Sequence, residues 1–160
     1  MKNSAPSIKE ITETFKLGLL IGLLSMDQVI NFADKYIEHE ANPDAGIIEV
    51  SLSGSKGINE TISKLEEVKG IYDIQKPIRT ILGLIYIESL NSDDISEITY
   101  KLYSLSLNIS ESQIGGDLYF ELNSMDDIKY LVTDEVIRKR IETSIGIYKE
   151  LGEEFLKVLL

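Results

Sequence analysis

Apolar residues recur at three- and four-residue intervals along most of the chain, the spacing of amphipathic helices. Ser7 and Glu10 form an S-x-x-E capping box ahead of Ile8, Ile11, Phe15 and the apolar run 17–24, which predicts a first helix over residues 8–24. Gly18 and Gly22 lie four residues apart on that helix, where a second helix backbone is expected to approach closely. Ser25 with Gln28 starts a second helix, whose stripe of Met26, Val29, Ile30, Ala33, Tyr36 and Ile37 runs to about residue 41. Residues 42–46 (NPDAG) read as a turn. The segment 47–52 alternates through Ile48, Val50 and Leu52 but is short, and its helical neighbours favour helix.

After a loop at 53–57, Ile58, Ile62, Leu65 and Val68 mark a helix closed by Gly70. Asp73 caps the next, with Pro77 in its first turn and Ile78, Ile81, Leu82 and Ile85 inward. Ser92 caps another, carrying Ile95, Ile98, Leu102 and Leu105. Over 108–123 the helical period breaks, Gly115 and Gly116 interrupt it, and Leu118, Phe120 and Leu122 alternate. That stretch is expected as a long loop with one short strand, followed by a short helix from Ser124 to Leu131. Thr133-Asp134-Glu135 then caps a last helix, in phase from Val136 to Leu159. The fold class expected is all-α: an irregular multi-helix bundle forming a single helical domain over 1–160, with at most a short strand near 117–122. Residues 17–36 and 82–103 share one pattern, an apolar Leu-Gly-Leu helix followed by a capped amphipathic one, and suggest two related helical hairpins.

With no cysteine in 160 residues, disulfides and thiolate chemistry are excluded, as suits a reducing compartment. The longest strongly apolar run has eight residues, too few to span a bilayer. Glu10 and Glu13 precede it and no cleavage pattern follows, so a cytoplasmic protein is expected. The net charge of −11 argues against nucleic acid and anionic membranes as partners, because both need a positive surface.

Candidate chemistry is sparse. The single histidine, His39, stands between Glu38 and Glu40, and neighbours on a helix diverge rather than converge on a metal. No serine occupies a G-x-S-x-G elbow, and a di-iron E-x-x-H motif fails because Tyr36 precedes His39 by three. Residues 53–57 (SGSKG) lack the spacing of a phosphate loop. A catalytic carboxylate pair would need buried acids, which the sequence alone does not reveal. No cofactor, metal or catalytic residue is assigned.

The charge is unevenly distributed. Residues 80–128 hold nine acids against one base, a net charge of −8, while the other 111 residues carry −3. The acids Glu88, Asp93, Asp94, Glu97, Glu111, Asp117, Glu121, Asp126 and Asp127 are interleaved with Tyr100, Tyr103, Tyr119 and Phe120. Aromatic anchors among carboxylates fit a surface for a cationic protein, centred on a flexible loop at 117–121. Helix caps and solvated faces would account for several of these acids equally well.

Three segments, KLGLLIGLLSMDQVINFADKYIE (16–38), SLSGSKGINETISKLEEVKG (51–70) and RTILGLIYIESL (79–90), resemble small helical bacterial immunity proteins. The resemblance covers the general pattern of about the first 105 residues and includes no diagnostic motif. It implies a protein that inhibits a cognate toxin, often a nuclease, by binding and without catalysis; the acidic surface adds the expectation that this partner is basic. It carries no functional residue over by position. A helical scaffold acting through self-association remains the alternative.

Overall fold

In a computed structural model the described residues are 5–160; residues 1–4, part of the domain expected over 1–160, lie outside them. The fold is all-α, and no strand occurs among the described residues. In chain order the helices are α1 (Ile8–Leu20), α2 (Met26–His39), α3 (Ala45–Leu52), α4 (Ile58–Glu67) and α5 (Gln75–Asn91). They are followed by α6 (Ile95–Asn108), α7 (Glu111–Ile114), α8 (Gly116–Ile128), α9 (Asp134–Ile145) and α10 (Lys149–Val158). Short 3-10 turns at Gly54–Lys56 and Gly146–Tyr148 lead into α4 and α10.

The expected caps form at several starts. The Glu10 amide donates to Ser7 Oγ at 3.2 Å and the Ser7 amide to Glu10 Oε2 at 3.3 Å, closing the first capping box. Ser25 and Gln28 repeat this at α2, and the Gln75 amide donates to Asp73 Oδ1 at the head of α5. At α6 the cap is Asp94 rather than Ser92: Asp94 Oδ1 accepts from the Ser96 and Glu97 amides, while Ser92 Oγ accepts from the Asp94 amide.

α1 ends at Leu20, four residues earlier than expected. Gly22 adopts φ +73°, the Leu23 amide donates to the Gly18 carbonyl and the Gly22 amide to that of Leu19, the two bonds of a Schellman ending. The apolar run therefore turns, and Leu24 folds back so far that a Cβ on Gly18 would lie 2.4 Å from Leu24 Cδ1. The close backbone approach occurs elsewhere, between α5 and α10. A Cβ on Gly83 would sit 2.1 Å from the Tyr148 carbonyl oxygen, and one on Gly152 2.6 Å from the Gly83 carbonyl carbon.

That contact makes α5 the central helix. It is buried from Pro77 to Ile85 almost without interruption, and it packs on α1, α6, α9 and α10. Phe15, fully buried on α1, meets Phe32 of α2 and Phe155 of α10, each at 5.3 Å between ring centroids. α2 has its broadest packing against α3 rather than α1, whereas α5 and α6 do pack together, so the two similar sequence patterns adopt different arrangements.

Three further expectations are corrected. Residues 111–114 and 116–128 are helices α7 and α8, not a loop with a strand. Leu118, Leu122 and Met125 form a helical stripe against α6 that leaves Phe120 outside it, and Gly115 at φ +88° separates the two helices. The last helix is interrupted at Gly146 and continues as α10. α4 ends at Glu67, with Val68 extended, and Gly70 serves instead to let the chain pass α1, where a Cβ would lie 2.8 Å from Lys9 Cβ.

Candidate functional site

The acids expected to form one surface divide into two groups. Glu88, near the end of α5, pairs with Lys101 of α6 at 2.5 Å. Glu121 of α8 pairs with Arg140 of α9 at 2.6 Å. Asp126 of α8 accepts from the buried Thr99 hydroxyl at 3.0 Å and pairs with Lys129 at 2.7 Å, a hydrogen bond that raises the Lys129 pKa. Asp94 caps α6. These four bind helices to one another or close a helix end.

Asp93, Glu97, Glu111, Asp117 and Asp127 are exposed, and no ion pair engages them among the described residues. Of the aromatics, Phe120 is 67% exposed and Tyr100 59%, while Tyr103 and Tyr119 are half-buried. Glu111, Asp117, Tyr119 and Phe120 come together with Asn123 around an open hollow of about 500 Å³ at the α7–α8 corner. This corner is helical on both sides of Gly115, so its side chains are held by regular backbone rather than by the flexible loop expected there.

A second cluster escaped the sequence reading. On α1, Glu13 is buried between two lysines, Oε1 at 2.6 Å from Lys9 Nζ and Oε2 at 2.7 Å from Lys16 Nζ. Lys9 also donates to the Glu66 carbonyl at 3.0 Å and lies over the Tyr72 ring, 5.9 Å from its centroid. Burial pulls the Lys16 pKa down, but the hydrogen bond and charge of Glu13, with a smaller share from Glu66, more than reverse this and hold it above its ordinary value. Burial and the Glu13 charge raise the Tyr72 phenol in the same way. The signal was present as Lys-x3-Glu-x2-Lys at helical spacing, but the pattern does not show that the face is covered. Above it lies a cleft of about 270 Å³ with Glu13, Lys16, Glu66 and Tyr72 at its polar side and Leu17 and Leu20 along its wall.

His39 Nδ1 lies 2.7 Å from the Lys35 carbonyl on an exposed helix end, and no group able to hold a metal occurs among the described residues. In the glycine-containing segment 53–57, the Ser53 hydroxyl is buried and bonded to Thr61 and the Val50 carbonyl, joining α3 to α4. No described helix is long and apolar enough to cross a membrane. No family model, curated protein or solved structure matches the chain.

Proposed function

We propose that this protein acts by binding: a cytoplasmic, non-catalytic inhibitor, of the immunity type, for a basic protein such as a toxin nuclease. The observation that carries this reading is the α6–α8 region, where five carboxylates have no ion-pair partner among the described residues and two of them, Glu111 and Asp117, share a hollow with the exposed Phe120. Unpaired surface acids speed encounter with a cationic protein, and a rigidly held aromatic supplies the desolvated anchor. Asp93, Glu97, Glu111, Asp117 and Asp127 steer, and Phe120 inserts. Glu88, Asp94, Glu121 and Asp126 hold the helices that present them.

Affinity capture from lysate of the producing cells, at low salt and at about 0.5 M, tests the reading, since screening at the higher salt strips merely electrostatic clients. One basic protein retained at both salts is the expected result. A salt-sensitive assortment alone would refute it.

Self-association is the second reading, favoured by Tyr130 and Leu131, which stand almost wholly exposed side by side after α8. It requires a stable homo-oligomer in sedimentation, whereas the inhibitor reading permits a monomer.

A further inference from the structure

Three of the five unpaired acids belong to a face with a regular layout. On α6 the positions turned away from the buried Ile98, Leu102 and Leu105 are Glu97, Tyr100, Ser104 and Leu107, spaced i, i+3, i+7 and i+10. On α8 the positions turned away from the buried Leu122 and Met125 are Asp117, Phe120, Ser124 and Asp127, at the same spacing. All but the two serines are exposed, Leu107 to 63%. Each row spans about 15 Å, close to three helical turns.

The Thr99 hydroxyl donates to Asp126 at 3.0 Å and the Asn123 side chain to Ser106 Oγ at 3.4 Å, so α6 and α8 run side by side and antiparallel. That register sets Leu107 across from Phe120 and Tyr100 across from Asp127. Glu111 and Asp117 share the hollow at the Phe120 end, and Glu97 stands one turn before Tyr100 at the other. Between Asp93 and Ile128 the single base is Lys101, already held by Glu88, so the segment has no free cation of its own to answer these acids.

Such a face offers side chains only. Between their first and last turns the backbone groups of α6 and α8 are bonded within each helix. An extended segment laid across them would lose water from its peptide groups and gain no bonds in exchange. A helix brings its peptide groups already paired and can seat a ridge of side chains in the valley between two rows.

We infer that α6 and α8 dock a helix of the partner protein, with an apolar stripe along its middle and lysine or arginine at both ends. This rests on the reading of α6–α8 as the face for a basic protein and adds the shape of the element that lands on it. The stripe runs from Tyr100 to the Leu107–Phe120 pair, over the low middle left by Ser104 and Ser124. The terminal cations meet Glu97 and Asp127 at one end and Glu111 and Asp117 at the other.

The test is an amide and methyl NMR titration of the full chain with the acetylated, amidated peptide KRALAALLAALARK. One control, KRALAAPLAALARK, keeps the charge and breaks the helix; the other, EEALAALLAALAEE, keeps the helix and reverses the charge. Expected are shifts along the outer positions of α6 and α8, an affinity about fivefold weaker for the proline peptide, and no shifts there with the acidic one. The ellipticity of the mixture should exceed the sum of its parts, because a free helix of this length is only partly formed. Leu107→Ser, a surface change, should weaken the helical peptide by about three- to fivefold. Equal binding of the two basic peptides at α6–α8 would overturn the helical occupant and leave the acidic-face reading standing. The absence of shifts at α6–α8 with millimolar peptide, or an equal response to the acidic one, would also overturn the inference, while capture from lysate decides the reading separately. Shifts at α6–α8 on concentrating the protein alone would overturn it too, since a second copy would then be the occupant.

Discussion

On the α1 side of the molecule, Glu13 is buried between Lys9 and Lys16, and Glu66 and Tyr72 close over them. On the α6–α8 side, Asp93, Glu97, Glu111, Asp117 and Asp127 stand in solvent with no cation engaged. The two regions adjoin at α7, whose Gln113 lines the α1 cleft and whose Glu111 lines the hollow beside α8, yet they treat charge in opposite ways. Glu13 has lysines at i−4 and i+3, so its carboxylate can be taken out of water because its charge is matched there. Where nine acids share one local base, only those reached by Lys101, Lys129 or Arg140 are drawn into packing, and the rest remain at the surface. Buried charge thus builds the fold, and unmatched charge is left available to another molecule.

Breaking the matched cluster should have the largest effect. Glu13→Ala strands two lysines and is expected to cost about 3 kcal/mol or more in urea unfolding, as for removal of one partner from a buried pair. A loss below 1 kcal/mol would show the cluster to be better hydrated than its burial implies. On the acidic side, Asp126→Ala removes one of the two acceptors of the Thr99 hydroxyl, leaving the Ser96 carbonyl, together with the partner of Lys129, and should cost about 1 kcal/mol. Glu111→Lys with Asp117→Lys should change stability by no more than about 0.5 kcal/mol, because neither acid is paired. This contrast between Asp126 and Asp117, two acids of one helix, is the sharpest form of the comparison.

The smallest effect is alkaline. Lys16 and Tyr72 both have folded-state pKa values raised above the ordinary 10.5 and 10.0. A raised folded pKa contributes stability that is complete below the unfolded pKa and is lost as pH rises through the folded one. Unfolding midpoints should therefore fall as pH climbs above about 10. The decline should be shallower in Lys16→Met combined with Tyr72→Phe, measured against the same variant at pH 8. A decline of the same steepness would assign the alkaline loss to other groups.

Much of the helical pattern was legible in the chain, because caps and apolar stripes are local. Ser7 with Glu10, Ser25 with Gln28 and Thr133 each begin a helix where their side chains accept from the first turn. α8 was misread because Leu118, Phe120 and Leu122 alternate as in a strand, and only the buried Leu122 and Met125, with Leu118 against the same core, reveal the helical period. Gly22 was hidden inside an apolar run, where composition favours continuation and only the backbone bonds to Gly18 and Leu19 show the turn. The site was less legible for a physical reason. The partners of Glu88, Glu121 and Asp126 lie 13, 19 and 27 residues away on other helices, so which acids are engaged is decided by packing. The same holds for Glu13, whose lysines are visible locally but whose cover, Glu66 and Tyr72, is not.

The central claim, that unpaired acids on α6–α8 recruit a basic protein, is tested most directly by the association rate of the captured partner with the Glu111→Lys, Asp117→Lys double variant. An association rate lower by about tenfold, with a dissociation rate little changed and a weaker dependence on salt, is the predicted result. An association rate equal to that of the unaltered protein at low salt would contradict the account and leave these carboxylates as solvated surface.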